Sequence, residues 1–223
     1  MTENGNRKQP LQNARIAYFS MEICLEQEIP TYSGGLGVLA GDTLRSAADL
    51  SVPMVGVTLL HRHGYFTQSL DARGNQRETP VQWTPETLLT ELPQRTTVAI
   101  EGRDVTVRAW RYLIESETGG QVPVLLLDTA LPENGDWDRT LTDSLYGGDE
   151  RYRLCQEIVL GIGGARLLRE MGFGGDVRYH MNEGHSALLA VTLLEWQAGG
   201  RGTYDLGEAD LEAVRRSCVF TKH

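Results

Sequence analysis

Residues 29–50 read "IPTYSGGLGVLAGDTLRSAADL". Gly34, Gly35 and Gly37 stand between an apolar stretch and a segment in which Leu39, Leu44, Ala47, Ala48 and Leu50 fall near helical spacing. Gly41 weakens that helix without ending it. Upstream, "RIAYFSMEICL" (15–25) is apolar and aromatic and reads as a buried strand. Downstream, "VPMVGVTLLH" (52–61) reads as a second strand opened by a proline. Strand, glycine turn, helix and strand form a βαβ unit, which predicts parallel strands in an α/β fold.

A glycine turn in that place aims unpaired backbone N–H groups at one point, and the helix dipole adds partial positive charge there. The arrangement suits a phosphate, or a sugar hydroxyl that needs close backbone approach. A tight turn without a ligand gives the same pattern. No Gly-Lys-Ser/Thr follows, so the stretch is not a P-loop.

The middle of the chain changes character. "HRHGYFTQSLDARGNQRETP" carries hairpin punctuation at Gly64 and at Gly74-Asn75, and "TTVAIEGRDVTVRAWRYLI" alternates about Gly102. Residues 61–121 therefore read as an antiparallel β insertion at the edge of a parallel core, followed by a short buried strand in "VPVLLLDT". The last third returns to α/β. "DERYRLCQEIVLGIGGARLLREMG" is a long helical stretch punctuated by glycines, "VRYHMN" a strand and "SALLAVTLLEW" a helix. "DLEAVRRSCVFTKH" reads as a helix turning into a strand. Residues 1–15 are polar, lack the apolar core of a signal peptide and read as a flexible tail. Residues 16–223 carry the structured part, a length that suits one large domain or two small ones.

Composition bounds the function. In 223 residues, 40% are hydrophobic, enough for a substantial core, and the formal net charge is −9 without a long basic run. That balance argues against nucleic acid or an anionic membrane surface as the main partner. No apolar run approaches the length of a membrane span. Cys24, Cys155 and Cys218 are few, odd in number and without metal-ligand spacing, which reads as reduced thiols in a cytoplasmic protein.

Other stretches could carry chemistry. "GIGGARLL" (161–168) partly imitates a dinucleotide fingerprint, with Glu183 about twenty residues on, but its third glycine is misplaced and it also fits a closely packed helix. "YHMNEGHSALL" (179–189) puts Asn182, Glu183 and His185 between a strand and a helix, where open α/β sheets bind ligands. Two such junctions on one rim suggest a shared cleft. The spacing is not His-Glu-x-x-His, so no metal is expected. In "YGGDERYRL" (146–154), Asp149 reads as a helix cap. His61 and His63 read as ordinary loop or edge residues.

Taken together, "IAYFSMEICLEQEIPTYSGGLGVLAGDTLRSAADLSVPMVGVTLL", "LYGGDERYRLCQEIVLGIGGARLL", "YHMNEGHSALL" and "CVFTKH" closely resemble the α-glucan phosphorylases of the short bacterial and archaeal type. The resemblance runs in order from about Ile16 to the last residue and is loosest over the insertion. It implies a GT-B fold, with two Rossmann-like domains facing a cleft, of which this chain would be part of the first and would lack the second. It implies α-1,4-glucan and inorganic phosphate as substrates, glucose 1-phosphate as product, and pyridoxal phosphate on a lysine of the second domain. By the same resemblance Gly34, Gly35, Leu36 and Gly37 approach the substrate phosphate and glucosyl unit, with the Gly35 N–H as donor. His185 lines the glucosyl site, Asn182 and Glu183 shape its loop, and Asp149 lies beside the active site. Neither lysine, Lys8 or Lys222, suits the cofactor anchor. Cys155 and Lys222 depart from the family pattern, in which a basic and an uncharged residue are expected. The chain alone is expected to be an inactive amino-terminal fragment that needs its carboxyl-terminal domain. Three other readings remain: a glycogen synthase-like glucosyltransferase, which Thr31-Tyr32-Ser33 before the glycines disfavours; a non-catalytic glucan-binding remnant; and a dinucleotide-dependent oxidoreductase.

Overall fold

A computed structural model describes residues 13–64, 66–79, 81, 83–202 and 205–223. Its frame is a mixed, mostly parallel seven-stranded sheet. The strands are β1 (Ile16–Phe19), β2 (Met54–Leu59), β5 (Thr90–Ile100), β6 (Arg103–Glu115), β7 (Gln121–Asp128), β8 (Arg178–Asn182) and β9 (Cys218–Thr221), in the order β5-β6-β7-β2-β1-β8-β9. β7, β2, β1, β8 and β9 run parallel, while β5, β6 and β7 pair antiparallel. β7 is thus where the antiparallel ribbon joins the parallel core. Glu101 and Gly102 turn that ribbon with φ of 51° and 77°, both left-handed as a two-residue hairpin requires. A separate hairpin, β3 (Thr67–Leu70) and β4 (Gln76–Thr79), forms its own antiparallel sheet, with every strand residue exposed.

The central strands are continuously apolar because both sheet faces are covered. β2 is buried along its whole length. Tyr18, Val124 and Leu126 pack on one face with Leu44 and Ala48 of α1 (Gly35–Asp49). Phe19, Val57, Leu125 and Leu127 pack on the other, against α2 (Glu150–Ile158) and α3 (Gly164–Glu170). Leu189 and Leu193 of α4 (Leu189–Ala198) and Val214 of α5 (Glu208–Ser217) complete that layer.

Two boundaries differ from the sequence reading. β1 ends at Phe19, and Ser20 to Ile23 continue as buried loop. α1 begins at Gly35, so the glycines are its first turn. The long helical stretch is continuous but carries a π turn at Val159–Gly163 between α2 and α3. Its buried pairs explain why. Residues 155–156, 159–160, 163–164 and 167–168 repeat every fourth position. A straight α-helix turns about 100° per residue, so that stripe would drift about 40° per turn. One wider π turn takes up the accumulated drift and keeps the stripe on the sheet.

Candidate functional site

β1 and β8 are parallel neighbours, with Phe19 opposite Met181, so their carboxyl ends open on one rim. The chain leaving β1 carries Glu22, which is buried. Its Oε2 accepts from the Ser33 N–H at 2.8 Å and the Gly34 N–H at 3.3 Å. The helix N-terminus is therefore held by a carboxylate from another segment, since Gly34, the N-cap, has no side chain to do it. A Cβ on Gly37 would lie 2.5 Å from Tyr32 Cβ and 2.9 Å from Glu22 Oε2, and one on Gly41 would lie 2.1 Å from the Cys24 carbonyl oxygen. These two glycines let α1 pack close to the Glu22 loop. Gly34 and Gly35 differ: a Cβ there would meet nothing within 4 Å. Their backbone faces open space on the rim, with the first-turn N–H groups of Gly35, Leu36 and Gly37 beyond the reach of intrahelical acceptors.

At the end of β8, buried Asn182 ties three strands together. Its Nδ2 donates to Ser20 Oγ at 3.2 Å, and Ser20 Oγ donates to the Glu22 carbonyl at 2.8 Å. Its Oδ1 accepts from Thr221 Oγ1 and from His223 Nε2, each at 3.1 Å. Thr221 Oγ1 in turn accepts from His180 Nε2 at 3.1 Å, a tautomer the network assigns. Burial and His223 push the His180 imidazole below its ordinary pKa. The next residue, Glu183, has φ 65° and ψ 174°. That region is nearly exclusive to glycine and costs about 1–3 kcal/mol. Two bonds hold it: the Glu183 N–H donates to the Thr221 carbonyl at 2.9 Å, and the His223 N–H donates to Glu183 Oε1 at 2.6 Å. Strain kept in place this way turns the chain sharply into the 3₁₀ turn Gly184–Ser186, which carries His185.

Tyr146 joins the two junctions. Its hydroxyl donates to Glu22 Oε1 at 2.6 Å, and its ring centroid lies 6.1 Å from that of His185, tilted by 51°. Burial and the Glu22 carboxylate raise the phenol pKa, so it stays protonated and donating. Tyr146 itself has φ 56°. Three residues on, exposed Asp149 caps α2, its Oδ1 accepting from the Tyr152 N–H at 2.9 Å. His185 Nδ1 and Ser186 Oγ are buried without a hydrogen-bond partner.

The glycine turn, Asn182, Glu183 and His185 thus share one rim, and Asp149 stands on the loop that reaches it. Glu22, Tyr146 and His223 belong to the same cluster and were not singled out from sequence. A lone acid inside "FSMEICL" was the available signal for Glu22. "GIGG" lies in the π turn and the start of α3: a Cβ at Gly161 would come 2.6 Å from the Leu189 nitrogen, and one at Gly164 2.8 Å from Phe19. These glycines serve helix packing. His61 is not an ordinary loop residue. It is fully buried at the end of β2, its Nε2 donates to the Met21 carbonyl at 3.1 Å, and burial lowers its pKa to about 4. His63 is exposed. Cys155 is buried, which raises its thiol pKa; Lys222 is exposed next to His223. Among the described residues no group of three or more His, Cys, Asp or Glu could hold a metal ion, and no helix is long and apolar enough to cross a membrane.

The profile of the Phosphorylase family, described as carbohydrate phosphorylase, matches residues 18–125. The chain is 43% identical to the glycogen phosphorylase of Mycobacterium tuberculosis, covering 93% of this chain and 25% of that protein. It is 40% identical to the maltodextrin phosphorylase of Thermococcus litoralis, with the same shares covered. It is 30% identical to the glycogen phosphorylase of Aquifex aeolicus, covering 93% of this chain and 30% of that protein. The chain spans about a quarter of the length of the first two relatives. By sequence, residues 18–125 fall within the carbohydrate phosphorylase family.

Proposed function

We propose that this chain forms one wall of the active-site cleft of an α-1,4-glucan phosphorylase, which transfers a terminal glucosyl unit to inorganic phosphate and yields glucose 1-phosphate. The observation that carries the reading is Tyr146, which touches both Glu22 under the glycine turn and His185 after β8. One residue thereby sets the distance between a cluster of backbone donors and an imidazole. The sheet, parallel at its core and covered on both faces, supports a Rossmann-like half of a GT-B enzyme.

In this reading the Gly35 N–H, with those of Leu36 and Gly37, donates to substrate oxygen, and the open space at Gly34 and Gly35 admits it. The helix end costs no reorganisation at the moment of reaction, because Glu22 already fixes it. His185 lies against the glucosyl unit. A lone pair on its imidazole ring has the polarity that stabilises positive charge developing at the anomeric carbon. Asn182 and Glu183 hold the turn that carries it, and Asp149 borders the cleft. The three cysteines are unpaired, which supports a cytoplasmic setting.

Pyridoxal phosphate supplies a phosphate for proton transfer in the complete enzyme of this family. The residues here do not fit its anchor: Lys222, the lysine among the described residues, is exposed at the end of the edge strand β9. Glucosyl transfer therefore needs the second wall of the cleft. The test is phosphorolysis of maltoheptaose with pyridoxal phosphate present, by the chain alone and by the chain mixed with the complementary carboxyl-terminal part of a relative. Glucose 1-phosphate is expected only in the mixture. Product from the chain alone would refute the two-wall requirement, and none from the mixture, with both parts folded and associated, would overturn the reading.

A further inference from the structure

The sequence holds two Asn-Gly pairs, Asn4-Gly5 and Asn134-Gly135, each preceded by glutamate. In such a pair the side-chain amide is open to attack by the next backbone nitrogen, because glycine puts no side chain in the way and leaves the backbone free to turn. The structure shows what folding does to the second pair.

Asn134 lies on the loop between β7 and α2 and is 4% exposed. The β6–β7 ladder stops at Arg108 opposite Asp128, and the Asn134 side chain takes the next place along β6. The Thr106 N–H donates to its Oδ1 at 2.8 Å, while its Nδ2 donates to the Thr106 carbonyl at 2.8 Å and to the Thr129 carbonyl at 2.7 Å. One side-chain amide thus stands in for a strand's peptide group, a task that needs a donor and an acceptor together. The peptide that follows is held as well. The Asn134 carbonyl accepts from Arg139 Nε at 2.8 Å, and the Gly135 carbonyl accepts from the Arg139 N–H at 3.0 Å. The Gly135 nitrogen reaches Asn134 Cγ only if the side chain gives up its three hydrogen bonds and the peptide turns.

We propose that Asn134 is a deamidation site that folding closes, and whose reaction bars the way back to the fold. In the unfolded chain the Gly135 nitrogen bonds to Asn134 Cγ, the Cγ–Nδ2 bond breaks, and the side-chain nitrogen leaves as ammonia with the Gly135 amide proton. Water then opens the succinimide at either of its carbonyls and gives aspartate or isoaspartate; nothing is oxidised or reduced. An ionised aspartate only accepts. It would set a buried carboxylate against the Thr106 and Thr129 carbonyl oxygens, which lose their Nδ2 donor. Isoaspartate adds a methylene to the backbone and moves the loop off its place on β6. The same loop runs on to Tyr146 and Asp149, so the damage falls on the segment that borders the cleft.

The test holds the full chain at mildly alkaline pH in native buffer and in guanidinium chloride, and follows Asn134 by peptide mass spectrometry. In denaturant Asn134 is expected to convert as Asn4 does, since both sit in Glu-Asn-Gly. In buffer it should convert at least about tenfold more slowly than in denaturant, because reaction waits on opening. After dilution of the denaturant, the refolded, protease-resistant fraction should carry unconverted Asn134 and the aggregated or protease-sensitive fraction the converted form. Asn134→Asp should lower the denaturation midpoint. Gly135→Ala, whose Cβ would meet Asp138 Oδ2 at 3.2 Å, should slow conversion in denaturant and leave more of the chain able to refold. Equal rates at Asn134 in buffer and in denaturant would overturn the closure. Converted chains recovered in the refolded fraction, or an unchanged midpoint in Asn134→Asp, would overturn the barrier to return.

Discussion

At the scale of single residues, buried polar groups organise the rim, and their cost is met locally. Among the described residues Glu22 has no ion-pair partner, and three donors satisfy it: two backbone N–H groups and the Tyr146 hydroxyl. His61 is the opposite case. Its Nε2 is used, but its Nδ1 is buried and unpaired. Protonation would bury an unpaired donor and a charge, and its pKa accordingly falls from 6.5 to about 4. The unfolded chain therefore binds a proton below 6.5 that the folded protein refuses until about pH 4. The stabilising contribution is complete above 6.5 and is lost as pH falls through that window, on the order of 3 kcal/mol in all. Urea denaturation at steps between pH 7 and pH 4 should show this loss, and His61→Gln should flatten it relative to the parent chain. Parallel curves for the two proteins would rule the assignment out.

At the scale of elements, the glycines divide by what surrounds them. Gly41 is packed against the Cys24 carbonyl and Gly35 against nothing. Gly41→Ala should cost about 1–3 kcal/mol in denaturation through overpacking. Gly35→Ala, in the first turn of a helix, should leave stability unchanged or slightly raised. It should still cut phosphorolysis in the two-part mixture at least about tenfold, because its methyl group fills the space the substrate needs. Equal stability losses in both variants would contradict this division. The pattern was half legible. The strand, glycine and helix order was readable around residues 29–50, as were the turn at Gly102 and the passage from helix to strand before His223. The end of β1 at Phe19 was not, because "SMEICL" stays apolar and buried as a loop, and burial alone does not distinguish loop from strand. The π turn was hidden for a similar reason, since it shows only in the fourfold spacing of the buried pairs. Glu22 and Tyr146 lie 124 residues apart, and no local pattern reports such a contact.

At the scale of the whole molecule, the main sheet and the small hairpin differ in how they are held. The seven strands share two apolar layers. Thr67–Leu70 and Gln76–Thr79 are exposed throughout and pair with each other across a turn in which Asp71 accepts from the Arg73 and Asn75 N–H groups. A two-stranded ribbon of this kind is marginal by itself. Its amides should exchange with deuterated solvent by local opening, far faster than those of β2, which open only with global unfolding. Equal protection of the two in mass-spectrometric exchange would contradict this. Since Thr67 and Gln68 of that ribbon line a hollow together with Tyr32 and Ser33, a molecule settling there would add to the ribbon's opening energy and slow its exchange while leaving β2 unchanged. The least protected part of the protein would then act as its occupancy gauge, readable without a label or a catalytic turnover.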